Sequence, residues 1–156
     1  MRFVLAVVLS CLALPAFAQS GERYENARYG FTLDIPAGFI GMGESANGDG
    51  QAYAIKGRPT ELAVWGGTLL GDLEREVSQR VQADTDQGWT ITDQVSTPRW
   101  AGYSASRNGQ ILHQRMILLC DGASYAAFRV HYPLADLGDM APRIETLVTA
   151  LRGKSC

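Results

Sequence analysis

Ser104 and His113 are the first residues in this sequence whose types and spacing could do chemistry together, because Asn108-Gly109 lies midway between them. Asn-Gly between two alternating runs is the signature of a type I′ hairpin turn, in which both central residues take positive φ. Such a turn pairs Arg107 with Gln110 and, counting outward, sets Ser104 opposite His113. A serine beside a histidine is the start of a nucleophile-and-base arrangement. However, Gly102-Tyr103-Ser104-Ala105 lacks the Gly-x-Ser-x-Gly elbow and puts the serine in mid-strand rather than on a strained turn. A small hydrolase or transferase using Ser104 and His113 is therefore the alternative reading, and a polar cross-strand pair the main one.

His113, Arg115, Arg129 and His131 form a second candidate group, on two successive strands. Four donors close together could receive a carboxylate, sulfate or phosphate, with arginine binding bidentately. The grouping depends on register. A two-residue turn at Asp121-Gly122 would put Arg115 on the face of Phe128, so a three-residue loop with a glycine bulge is expected instead, keeping polar with polar. One face should then carry Tyr103, Ala105, Leu112, Met116, Leu118 and Phe128, and the other Ser104, His113, Arg115, Arg129 and His131. The bland alternative is that Asp or Glu from a covering helix pairs these cations, or that water solvates them. Two histidines alone make a poor metal site, and neither a metal nor another cofactor is expected. The glycine-rich stretch 41–50 lacks Gly-Lys-Ser/Thr and the acidic spacing of a calcium loop, so it reads as a connection. Trp65, Trp89 and Trp100 read as core or edge residues, and exposure of Trp89 and Trp100, each beside turn-forming residues, would mark a contact surface instead.

The elements that would hold these residues follow from periodicity. Residues 29–35 alternate Tyr, Phe, Leu and Ile with small or polar residues and stop at Pro36; 51–56 and 61–70 also read as strands. Asp72 caps a helix to Gln87, with Leu73, Val77 and Val81 on one stripe and Gly88 as its stop. Strands are expected at 90–96, 103–107, 110–119 and 124–132. Ile144, Leu147, Val148 and Leu151 recur at helical spacing in a helix from Asp139 to Arg152. Strands interrupted by only two helices indicate an α+β domain, an antiparallel sheet with a mid-chain helix and a C-terminal helix packed on it.

Tyr24-x-Asn26-x-x-Tyr29-Gly30-Phe31-x-x-x-x-Pro36, with the mid-chain helix, late hairpins and closing helix, resembles the Mog1/PsbP-like superfamily and related small exported bacterial proteins of unknown function. The resemblance implies that fold over nearly the whole mature chain. Members serve as photosystem accessory subunits, as partners of a small GTPase or as uncharacterised bacterial proteins, so the resemblance carries no shared catalytic residues over.

Residues 1–18 read as a signal peptide: Arg2, an apolar run from Phe3 to Leu14, and Ala16-Phe17-Ala18 for cleavage. Val8-Leu9-Ser10-Cys11 resembles a lipoprotein box, but cleavage there would leave an unusually short apolar region. No stretch reaches the roughly 20 apolar residues of a transmembrane helix. The expectation is a periplasmic or secreted domain spanning 19–156. Of 156 residues, 14 are basic and 16 acidic, and removing Arg2 leaves 13 against 16. A net charge of −3 argues against nucleic acid as the partner. Cys120 and Cys156 remain, and an even count in an oxidising compartment points to a disulfide. These readings converge on an exported, non-catalytic accessory or binding module that contacts a protein or a small anionic ligand.

Overall fold

The computed structural model describes residues 21–154. The expected signal segment 1–18, with Cys11, and the second half of the expected bridge, Cys156, lie outside the described residues. β1 (Glu22–Asn26) and β2 (Phe31–Ile35) form a hairpin, and β10 (Arg152–Gly153) joins the free side of β2. β3 (Phe39–Glu44), β4 (Gly50–Ile55), β5 (Glu61–Thr68), β6 (Thr90–Ser96), β7 (Trp100–Arg107), β8 (Gln110–Leu118) and β9 (Ser124–Pro133) build a second, larger antiparallel sheet. Its order is β3-β4-β5-β9-β8-β7-β6. α1 (Leu73–Asp86) connects β5 to β6, and α2 (Leu137–Ala150) follows β9. The chain is thus α+β with two antiparallel sheets, where one was expected. No helix among the described residues is long and apolar enough to cross a membrane.

Local chemistry accounts for much of this. The Asp72 carboxylate accepts from the Arg75 amide at 2.8 Å and caps α1, while Gly88, at φ +85°, ends it. The Tyr24-to-Tyr29 motif closes the first hairpin. Asn26, fully buried, accepts from the Tyr29 amide at 2.8 Å and donates to the Gly48 carbonyl at 3.0 Å, tying β1 to the β3–β4 turn. Residues 41–50 are only partly the expected loop, because β3 runs to Glu44 through a bulge at Gly41/Glu44 and pairs with β4. The last helix stops at Ala150, earlier than expected, because Arg152 and Gly153 pair with Thr32 and Phe31.

The two helices pack on opposite faces of the large sheet. α1 sets Leu73 and Val77 against Ala101, Met116, Tyr125 and Ala127. On the other face α2 and the small sheet bury Met140, Leu147, Phe31 and Leu33 against Leu62, Val64, Phe128 and Val130. Removing that apolar area from water is the main stabilising term. β9 lies mid-sheet and is covered on both faces, so it is buried without interruption from Ser124 to Phe128.

Candidate functional site

β7 and β8 are joined as their turn chemistry requires. Asn108 and Gly109 have φ +50° and +74°, Arg107 pairs with Gln110, and Ser104 pairs with His113. Ser104 Oγ and His113 Nδ1 are 2.8 Å apart. The expected four-residue cluster, however, does not form. Leu119 N donates to Ser124 O at 2.8 Å, leaving residues 120–123 as an even-length loop. Asp121 holds the loop by accepting from the Ala123 and Ser124 amides. Arg115 therefore pairs with Phe128, and His113 with Val130, while Arg129 pairs with Gln114 and His131 with Leu112. His113 and Arg115 face the α2 side; Arg129 and His131 face the α1 side. The expectation failed because it assumed one apolar face, whereas β9 is covered on both.

On the α1 side Arg129 is neutralised by the covering helix. Its guanidinium donates to both carboxylate oxygens of Asp84, at 3.1 and 2.7 Å, to Gln114 Oε1 at 2.7 Å and to the Tyr103 hydroxyl at 2.7 Å. The Tyr103 hydroxyl in turn donates to Asp84 at 2.5 Å, and burial first, then this bond, pushes its pKa up. Asp84 is 2% exposed and was missed in the sequence, although it continues the stripe of Leu73, Val77 and Val81. An acid on an apolar stripe is the signal that marks it. His131 packs beside Trp89, with ring centroids 5.4 Å apart; burial first and Arg129 second lower its pKa. Trp89 itself is buried.

On the other face the cover is incomplete. α2 and the small sheet lie over β9 and β5, leaving an open half-face across β6, β7 and the adjoining edge of β8. Asp93 and Val95 of β6 are exposed, and Trp100, Ser104, His113 and Arg115 are half-buried. Val95 pairs with Gly102, and Gly102 with Arg115, so the arginine side chain lies across a position with no side chain of its own. A Cβ on Gly102 would stand 3.8 Å from Arg115 Cδ. The guanidinium carbon sits 3.9 Å from the centre of the Trp100 ring, a close cation–π stack. Arg115 Nε is buried without a hydrogen-bond partner, and no carboxylate among the described residues pairs with this arginine. Burial lowers the Arg115 pKa. Burial first, then the charge of Arg115, lowers that of His113, with Asp93 acting in the opposite sense.

The mirror arrangement occurs at the far edge of the α1 side, where Ile40 and Met42 stand exposed beside Ala52 and Ala63. A cavity of about 420 Å³ lined by Ala52, Ala63, Asp49 and Trp65 lies there. Among the described residues no group of three or more His, Cys, Asp or Glu side chains converges as a cation site. No carboxylate among the described residues hydrogen-bonds His113, so the Ser104 pair lacks an orienting acid.

No family model and no curated protein matches this sequence. Solved structures do match in fold. The Ran-binding protein Mog1p of Saccharomyces cerevisiae is similar with a TM-score of 0.62 and 13% identity, over 86% of this chain and 95% of that one. Cyanobacterial PsbP from Synechocystis is similar with a TM-score of 0.64 and 13% identity, over 94% and 98%. LpqN of Mycobacterium tuberculosis, involved in cell envelope biogenesis, is similar with a TM-score of 0.53 and 14% identity, over 84% and 83%.

Proposed function

Starting from the Mog1/PsbP-like fold of this chain, we propose that it is an exported, non-catalytic binding module that contacts a protein partner through the open half-face of β6, β7 and β8. The observation that carries this reading is the composition of that half-face. It sets exposed Val95 and half-buried Trp100, His113 and Arg115 side by side on a part of the sheet that neither helix nor the small sheet covers. Aromatic and arginine side chains are those that dominate recognition surfaces. The yeast protein of this fold is named as Ran-binding, which fits protein recognition as a use of the scaffold. A photoreactive side chain at Val95 in the native host should give a discrete adduct that excess unmodified protein suppresses. The same group at Ser78, on the exposed side of α1, should give none. Equal labelling from both positions, or no adduct at Val95, refutes the proposal.

The 2.8 Å contact between Ser104 and His113 favours a second reading, a small hydrolase or transferase. It requires turnover of activated esters or acyl donors that disappears in Ser104→Ala. The first reading expects the variant to match the parent at the background rate. Without an orienting acid or an oxyanion site, the pair reads better as a hydrogen bond that satisfies two half-buried polar groups.

A further inference from the structure

We propose that Arg115 is an anion-receiving residue, and that its ligand is the carboxylate of an acidic side chain presented by the protein partner. This rests on the binding-module reading and names the chemistry of the same half-face. The first support is a comparison within the molecule. Arg129, one strand away on the opposite face, shows how this fold satisfies a structural arginine: two carboxylate oxygens, an amide oxygen and a phenol oxygen surround it. Arg115 has a half-buried guanidinium, a buried Nε without an acceptor, and a tryptophan face at 3.9 Å in place of a counter-charge. A desolvated charge with no partner is unfavourable until an anion arrives. Stacking on Trp100 also holds the planar donor fork still, so less side-chain freedom is lost on binding.

The charge inventory selects the ligand. Beside Arg115 on this face lies His113 of β8, its pKa lowered by burial and then by the charge of the arginine, while Asp93 of β6 lies opposite Ser104 and acts on His113 rather than as a counter-charge to Arg115. Ser104 of β7 is engaged by His113. A lone guanidinium attracts a dianion about twice as strongly as a monoanion, but the cost of desolvating the ligand rises with the square of its charge, so a half-buried site suits a monoanion over a phosphate dianion. The planar carboxylate matches the guanidinium fork bidentately. A chain terminus fits less well than a side chain. Arg115 is in mid-sheet, where the backbone amides of β7 and β8 are committed to their ladder and cannot add the donors that terminal carboxylates draw on.

The test is a titration at constant ionic strength, followed by NMR at the Trp100 indole and the Arg115 Nε–H. Three probes are used: N-acetyl-aspartate N-methylamide, N-acetyl-alanine for a terminal carboxylate, and inorganic phosphate. The aspartate probe should shift both signals and bind more tightly than the other two. Arg115→Gln should weaken it at least tenfold. Gly102→Val, which fills the position under Arg115 while keeping the charge, should weaken it comparably in a protein that remains folded by its amide spectrum. Unchanged binding in Arg115→Gln overturns the inference, as does a preference for phosphate or for N-acetyl-alanine. A Val95 adduct that persists at full yield in Arg115→Gln would remove the carboxylate and leave the docking face. Loss of the adduct in the parent protein would remove the docking face itself.

Discussion

Asp84→Ala should be the most damaging single change to the α1 side of the sheet. Asp84 accepts two bonds from Arg129, at 3.1 and 2.7 Å, and one from Tyr103 at 2.5 Å. Bonds to a charged group contribute about 1.5–3 kcal/mol each, and they do not add when they share an atom. Removing one member of a buried pair costs about 3–5 kcal/mol, mostly by stranding the other charge. Two features place this site at the lower end. The Arg129 side chain retains 24% exposure, so water can reach the abandoned guanidinium, and Tyr103 can redirect its proton to Gln114 Oε1, 3.2 Å away. Alanine also favours the helix by up to about 0.7 kcal/mol relative to aspartate. A loss of about 3 kcal/mol follows. With a urea slope of about 2 kcal/mol/M the midpoint should fall by about 1.5 M. Asp84→Leu combined with Arg129→Met removes both charges and should lose less than Asp84→Ala alone. A single variant within about 1 kcal/mol of the parent, or a double variant worse than the single, refutes the account of a buried charge held by its partner.

Leu147, fully buried on the inner side of α2 against β2 and β9, should cost about 2–5 kcal/mol as alanine, read from the unfolding midpoint. His113 and His131 both have folded-state pKa values lowered chiefly by burial, so the unfolded chain binds more protons below its own value of about 6.5. Stability should be level above that pH and decline as pH falls through the folded values. His113→Gln should flatten the decline in a pH series of urea melts. Mass spectrometry of exported material should find residues 1–18 removed and Cys120 linked to Cys156, with reduction costing about 4 kcal/mol in the chain-entropy estimate. A chain beginning at Cys11 would contradict this.

Features set by neighbouring residues were legible in the sequence. Asn108-Gly109 dictates its own turn, and the turn dictates that Ser104 meets His113. Asp72 and Gly88 delimit α1, whereas the motif from Tyr24 to Gly30 carried the resemblance without announcing β1 or the hairpin that Asn26 clamps. The antiparallel α+β class follows from the same signals. What lay beyond reach was every feature that depends on which layer covers which face. An even or an odd loop after Leu119 reverses the faces of all of β9. The alternation that should have decided between them is absent, because a strand buried on both sides has no polar face to show. The fate of the two arginines was likewise tertiary. Arg129 lies beneath Asp84 of a helix far away in the chain, whereas Arg115 lies on the half-face left uncovered. Both read alike in the sequence. Only the packing of α1 and α2 on opposite faces gives one arginine its counter-charge and leaves the other with a tryptophan, because Coulomb attraction and desolvation depend on distance and solvent access rather than on position along the chain.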